Sequence, residues 1–426
     1  MKPLACLWGL LACTALPGVA FAQVTALVGA RLIDGTGRVI ERGTIVIGGG
    51  KIIAAGPTAD TSIPEGAQRL EVAGATIIPG LINAHGHLTN AVGMRNDPNG
   101  YTRDNLVRQL RTYARYGITT VFSLGDDQDA AFQLRSEQSS GSLDRARVFV
   151  AGLVINGETA EATRAMVDRV ATIKPDLLKI RIDDNLGSSR KMPEAAWRAA
   201  ITRADEMKLP MATHIFYLAD AKAALLAGAD IVAHSVRDVP VDAEFIREMK
   251  ARRACYIPTL MREVSTFVYG STPPWARDPF FLKGAGPAAS DELSDPARHA
   301  LVQASSGYKQ GLRYKDALEV AKRNLKVLSD GGVRIAMGTD TGPPGRWQGF
   351  FEHLELEMMV QSGMTPMQAL VASTGAAAEC HGRPGQIGAL QPGAAADFIV
   401  LEANPLDDIR NTRLIRSVWI SGRAIQ

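Results

Sequence analysis

Eight short apolar runs, separated by longer amphipathic stretches, fill the middle of this chain at residues 76–83, 118–124, 147–156, 177–182, 210–216, 230–236, 255–261 and 334–340. The segments between them, at 105–116, 160–173, 193–207, 218–227, 242–252 and 314–330, space their apolar residues as helices do, and Gly117, Gly228 and Gly331 stand where helices should stop. Strand–helix alternation predicts parallel β/α units. Eight of them in about 260 residues predict an α/β chain built on a (β/α)8 TIM-type barrel. An open doubly wound sheet would seldom need eight units, and no glycine-rich dinucleotide fingerprint opens one here.

The flanks read differently. Residues 25–33, 43–48, 51–55 and 68–72 are strand-like, with a hairpin signal at Gly48-Gly49-Gly50, and residues 394–401 and 414–425 are strand-like again. A β tail that short cannot form its own core. The two ends are therefore expected to combine, 23–75 with 390–426, into one small β-sandwich domain with the barrel, 76–389, inserted in it. The connection 262–314 shows no clear helix and is rich in Pro, Gly and Ala, so it is expected either as a lid over the barrel mouth or as a surface excursion.

Lys2, an apolar run from Leu4 to Ala22 and the ending Ala20-Phe21-Ala22 predict a secretory signal peptide over 1–22, hence a periplasmic or secreted protein; an uncut anchor is the alternative. Cys6 and Cys13 would leave with that leader. Cys255 and Cys380 are read as two buried thiols, with a bridge left open. A net charge of +3 without a basic run argues against nucleic acid. No body segment suggests stable membrane insertion once the leader is removed. Oligomeric state stays open, a homo-oligomer included.

Active sites of such barrels lie at the C-terminal ends of the strands. The first run ends in His85-Gly86-His87, where i and i+2 share a strand face. Alone, that pair reads equally well as a solvated turn. The fourth run, however, carries Lys179 between Leu178 and Ile180, the fifth ends at His214, the sixth at His234 and the eighth at Asp340. Four of the chain's seven histidines thus fall at strand ends, and imidazole is a common metal ligand. His299, His353 and His381 fall elsewhere and are read as structural. Arg181, Arg237 and Arg262 lie close to strand ends, and any of them could hold a substrate carboxylate through a bidentate pair.

The set resembles the amidohydrolase superfamily, in its imidazolonepropionase-like and prolidase-like branch. The resemblance rests on Pro79-Gly80-Leu81-Ile82-Asn83-Ala84-His85-Gly86-His87, on Gly338-Thr339-Asp340-Thr341 and on the closing Pro392-Gly393-Ala394-Ala395-Ala396-Asp397-Phe398-Ile399-Val400-Leu401. It implies two divalent metal ions, zinc first among the candidates. His85, His87 and Asp340 would hold one ion and His214 and His234 the other, with Lys179, carboxylated on its side-chain nitrogen, bridging them. It further implies attack by metal-activated hydroxide on a small amide or dipeptide-like substrate (an Xaa-Pro dipeptide, an N-acyl amino acid or a cyclic amide), with Asp340 as general base and acid. An esterase or lactonase on the same site is the alternative, and a non-catalytic binding protein on this fold a second one. The sequence departs from the deaminases of the superfamily, which carry glutamate three residues after the fifth-strand histidine. Tyr217 stands there instead, read either as a substrate-carbonyl contact or as a packed aromatic.

Overall fold

A computed structural model describes residues 24–425; the leader expected over 1–22 lies outside the described residues. The two chain ends meet in one connected eight-stranded sheet. Its central strand, Thr25–Ile33, pairs antiparallel with Val39–Gly48, and on its other edge it takes two short parallel partners in succession, Gln68–Glu71 and Thr76–Pro79. Phe398–Leu401 pairs antiparallel with Thr76–Pro79 and with Ile415–Ile420, which stitches the C-terminal strands to the N-terminal ones. Leu27, Leu32, Ile45, Ile47, Ile77, Phe398 and Trp419 form its core, with the Phe398 and Trp419 rings stacked 5.3 Å apart. Strands from both chain ends thus share one hydrogen-bonded ladder.

The apolar run at 76–83 is not one strand. It divides at Gly80, after which Leu81–Gly86 joins a different sheet. A side chain at Gly80 would bring its Cβ within 2.0 Å of Thr119 Oγ1, so only glycine lets the chain cross from one sheet to the other here.

The parallel strands alternate with helices in a TIM-barrel-type α/β arrangement made of two hydrogen-bonded arcs rather than one closed ladder. One arc contains Leu81–Gly86, Ile118–Ser123 and Arg147–Val150; the other runs Leu178–Arg181, Met211–His214, Ile231–Ala233, Cys255–Ile257 and Arg334–Ile335. Isolated bridges, Ile155 to Ile180 and Gly86 to Thr341, span the two gaps between the arcs. Ile82, Ala84, Phe122, Phe149, Ala212, Ile231 and Ile257 fill the space between the strands, and Ala377 and Ala378 pack into the same cluster. Cys255 and Cys380 lie in this cluster as a disulfide, so the reading of two free thiols is corrected. The two are 125 residues apart in sequence, a separation that carries no pairing signal.

Helices fall where periodicity places them. Tyr314–Asp330 buries Leu318, Ala321, Leu325 and Leu328 on one face, and Thr102, Thr159 and Asp242 cap the N-termini of Arg103–Arg115, Ala160–Thr172 and Ala243–Ala251. The segment expected as a structureless connection is instead helical, with Leu260–Ser265, Pro279–Ala285, Pro287–Ser294, Pro296–Ala304 and Ser306–Gly311. Its prolines open helices rather than break them, because proline at the first position loses no hydrogen bond and Asp278 and Asp295 cap the turns before it. No helix among the described residues is long and apolar enough to cross a membrane.

Candidate metal centre

A cavity of about 490 Å³ opens where the parallel strands end, lined by His85, His87, Lys179, His214, His234 and Asp340 together. Four separate strand ends and one buried strand lysine thus deliver to one place the six side chains singled out in the sequence. His85 lies within the stretch between Asn83 and Gly86 where the pairing of Leu81–Gly86 with Ile118–Ser123 shifts register. His234 and Asp340 hold left-handed backbone, at φ 71° and 57°, which costs a non-glycine residue about 1 kcal/mol or more and persists where its surroundings fix it.

His85, His87 and Asp340 offer ligand atoms that all lie within 4.8 Å of one another. Asp340 Oδ1 is 2.8 Å from His87 Nε2 and 3.6 Å from His85 Nε2. The second pair stands beside this triangle rather than in it: the His234 ring centroid is 4.6 Å from that of His85 and 4.0 Å from that of His214. Lys179 Nζ lies 3.4 Å from His85 Nε2.

Each outlying imidazole is aimed by a partner. His214 Nε2 is 2.6 Å from the buried Asp183 carboxylate, which leaves Nδ1 for a ligand, and His234 Nδ1 is 2.7 Å from Thr259 Oγ1, which leaves Nε2. His87 Nδ1 is 3.4 Å from the carbonyl of Gly125. His85 Nδ1 is buried with no hydrogen-bond partner.

Burial sets the protonation states. It pushes His214 down to about 3 and His85 and His234 well below the ordinary imidazole range, helped at His85 by Lys179 and at His234 by His214. All three are neutral near pH 7, the form that binds a cation. Burial also lowers the Lys179 amine to about 7. At Asp340 burial pushes upward, but Arg346 and His87 outweigh it and hold the carboxyl well below its ordinary value. Neutral imidazoles, a carboxylate and a lysine amine that loses its proton readily are a donor set that fits divalent cations such as zinc.

The four residues named as substrate contacts fare unequally. Arg181 and Arg262 line the cavity. Arg262 is almost fully buried, stacks 4.8 Å from the Tyr314 ring centroid, bonds Glu263 through Nη1 and holds its Nε without a hydrogen bond 4.0 Å from Asp340 Oδ2. Arg237 is corrected: its side chain is wholly buried, its head donates to the carbonyls of Ile215 and Ser235 and pairs with Glu263 at 3.1 Å, so it braces the wall from behind. Tyr217 does not line the cavity either. Its hydroxyl donates to Asp184 at 3.0 Å, and Lys191 sits over its ring. Of the long segment after the seventh strand only Arg262 lines the cavity, while Gln310 and Arg313 donate to the carbonyls of Asn185 and Leu186 beside the mouth. The other three histidines bond elsewhere: His299 to the Leu293 carbonyl, His353 to that of Tyr116 and His381 to that of Ala84.

Sequence reasoning missed Asp183, Thr259 and Arg346. Arg346 lines the cavity and bonds Asp340. Asp183 had a local signal, an acid directly after the fourth strand. Arg346 follows Asp340 across a Gly/Pro loop, whose path the sequence does not disclose.

A model of the amidohydrolase family matches residues 76–425. An ochratoxinase of Aspergillus niger is 40% identical over 97 residues, 22% of this chain and 19% of that enzyme, so the matched stretch spans about a fifth of the curated relative's length. An imidazolonepropionase of Chloroflexus aggregans is 26% identical across 87% of this chain and 86% of its own. A solved prolidase candidate from Bifidobacterium longum superposes with a TM-score of 0.76 at 24% identity, over 95% of both chains, which shows a common fold.

Proposed function

The chain belongs to the amidohydrolase family, and on that premise we propose that it is a metal-dependent hydrolase of a C–N bond in a small amide: an Xaa-Pro dipeptide, an N-acyl amino acid or a cyclic amide. The observation that carries this reading is the shared cavity of four histidines, Lys179 and Asp340. The names of the relatives, an ochratoxinase, an imidazolonepropionase and a prolidase candidate, support hydrolysis at C–N bonds.

His85, His87 and Asp340 would hold one divalent ion and His214 with His234 a second, zinc being the first candidate for so imidazole-rich a set. A Lys179 amine lowered to about 7 is neutral often enough to attack carbon dioxide; the N–C bond forms, a proton leaves, and the resulting carbamate would add an anionic ligand to the set that holds the ions. Bound there, the ions supply Lewis acidity and a water acidic enough to ionise near neutral pH. Asp340 accepts the proton of the attacking water and returns it to the leaving nitrogen as the C–N bond breaks. Arg262, on the cavity wall with its Nε 4.0 Å from Asp340 Oδ2, receives a substrate carboxylate, and Arg346 stands on the same wall. Leu88, Pro98, Leu124 and Val154 form the apolar wall that takes the acyl group.

The architecture that goes with this function is one eight-stranded barrel formed by both arcs and inserted into the terminal β domain. Export through the leader goes with it as well, and the Cys255–Cys380 bridge favours an oxidising compartment.

The test is a screen of the zinc-loaded protein against N-acyl amino acids, Xaa-Pro dipeptides and lactams, each beside its matched ester or lactone. Turnover of an amide that stops on chelation and returns with zinc is expected. A hundredfold preference for the esters would move the assignment to an esterase, and no bound metal with no turnover would leave a binding protein on this fold.

A further inference from the structure

Two carboxylates on one helix reach both flanks of the site from behind. Glu352 and Glu355 are one turn apart on Phe350–Gln361, so they share a face, and both are fully buried. Burying a carboxylate is costly unless its oxygens are hydrogen-bonded, and an apolar side chain would serve plain packing better. Glu355 spends both oxygens, and Glu352 its Oε1, on segments that carry the site, while Glu352 Oε2 is buried without a hydrogen-bond partner.

Glu352 Oε1 accepts from Asn83 Nδ2 at 2.6 Å, Thr341 Oγ1 at 2.7 Å and Thr339 Oγ1 at 2.8 Å. Asn83 in turn accepts the backbone N–H of His85 at 3.0 Å, and the two threonines bracket Asp340. This knot lies where Gly86 and Thr341 make only an isolated bridge; the backbone joins the two segments there through the Asp340 N–H to the His85 carbonyl at 2.7 Å and the His87 N–H to the Thr341 carbonyl at 2.8 Å, and the knot adds a side-chain tie to those bonds. Glu355 accepts the backbone N–H groups of Leu260 and Met261, both at 2.7 Å. Those groups open the short helix that carries Arg262, directly after Thr259, the partner of His234, whose φ is 50°.

We propose that Glu352 and Glu355 are positioning residues that set the two flanks of the site independently: Glu352 the spacing of His85 and Asp340, Glu355 the Thr259–Arg262 turn. Neither touches the cavity, and each acts through the groups it holds. The prediction for KM below rests on the reading of Arg262 as the carboxylate contact, and the prediction for zinc on the metal reading.

The test compares E352A, E352Q, E355A and E355Q by zinc affinity against a competing chelator, by KM and kcat on a carboxylate-bearing amide, and by melting temperature. E352A is expected to weaken zinc about 10- to 100-fold. E352Q, whose amide oxygen can accept the same three donors, should stay within about threefold of the parent. E355A, which disturbs Thr259, should weaken zinc no more than about three- to tenfold, less than E352A, yet raise KM about tenfold at nearly constant kcat. E355Q, with one acceptor for two backbone N–H groups, should fall between E355A and the parent. Crystal structures of the two alanine variants supply a measurement that needs neither metal nor substrate. His85 and Asp340 should separate in one, and the Thr259–Arg262 turn should shift in the other. Unmoved segments, or alanine variants that differ from the parent only in melting temperature, overturn the proposal. A parent protein that binds no zinc sinks the metal reading instead, and the structures still decide this one.

Discussion

His214 and His234 stand in or beside an unbroken five-stranded parallel ladder, with His214 paired to Arg181 on one side and Ala233 on the other, whereas His85, His87 and Asp340 stand where the ladder lapses into a single bridge. On the first flank, regular backbone pairing sets where the imidazoles start, and each needs only one partner to set its ring: Asp183 for His214, Thr259 for His234. On the second, a few irregular backbone bonds, from the Asp340 N–H to the His85 carbonyl and from the His87 N–H to the Thr341 carbonyl, are reinforced by side chains, through Asn83, Thr339, Thr341 and Glu352. A flank outside the regular ladder can hold Asp340 in left-handed backbone, facing both histidines, at the cost of a buried polar knot.

The largest effect is expected on the flank without a ladder. Asp340→Asn keeps the shape and removes the base, so kcat should fall about a thousandfold, within the range lost with a general acid–base group. Metal content by elemental analysis should fall far less. A near-normal rate would remove Asp340 from the chemistry and with it the functional contrast between the flanks.

Asp183→Asn probes the other flank. If the ladder alone fixed His214, the change would be silent. Because the carboxylate selects the tautomer that frees Nδ1, zinc affinity is expected to drop about 10- to 100-fold, read by chelator competition. The pH trend sharpens this: burial raises the Asp183 carboxyl, but His214 and Arg237 outweigh it and hold it well below the ordinary range, so the partner stays ionised across the pH range of an assay.

The same division governs what the sequence discloses. Alternation of strand and helix, and the strand-end histidines, depend on local period and were legible, so His85, His87, Lys179, His214, His234 and Asp340 could be named before any coordinates. The polar knot was not, because Asn83 and Glu352 are 269 residues apart and nothing local marks them as partners. Arg237 misled for the opposite reason: it follows His234 closely in sequence, yet its side chain turns into the wall toward Glu263. The helical segment after Cys255–Ile257 is hidden in a Pro-, Gly- and Ala-rich stretch without clear helical period, where Asp278 and Asp295 let proline open a helix.

A smaller and graded effect is expected at Lys179, which lies between the flanks. Its amine is lowered to about 7 by burial, so the neutral, nucleophilic form dominates above that pH and the protonated form below. At fixed dissolved carbon dioxide, the rate of carbamate formation in metal-stripped protein should be flat above about pH 7 and fall about tenfold per unit beneath it. Isotopic carbon dioxide followed by NMR reads this directly. A rate that kept climbing to pH 10 would show a lysine with its ordinary acidity and remove the physical basis for a bridge there.

Thr259→Val carries the smallest expected change and tests the ladder flank at its weakest tie. Valine keeps the branched shape and the volume but removes the hydroxyl 2.7 Å from His234 Nδ1. One neutral hydrogen bond contributes about 0.5–1.5 kcal/mol, so zinc affinity should fall about three- to tenfold, less than for Asp183→Asn, whose partner is charged. The strand under His234 should hold it in place meanwhile, since Ile231–Ala233 remains paired on both sides, to Met211–His214 and to Cys255–Ile257. A loss as large as that of E352A would mean that the ladder contributes little to aiming His234, and the two flanks would then be held by the same means after all.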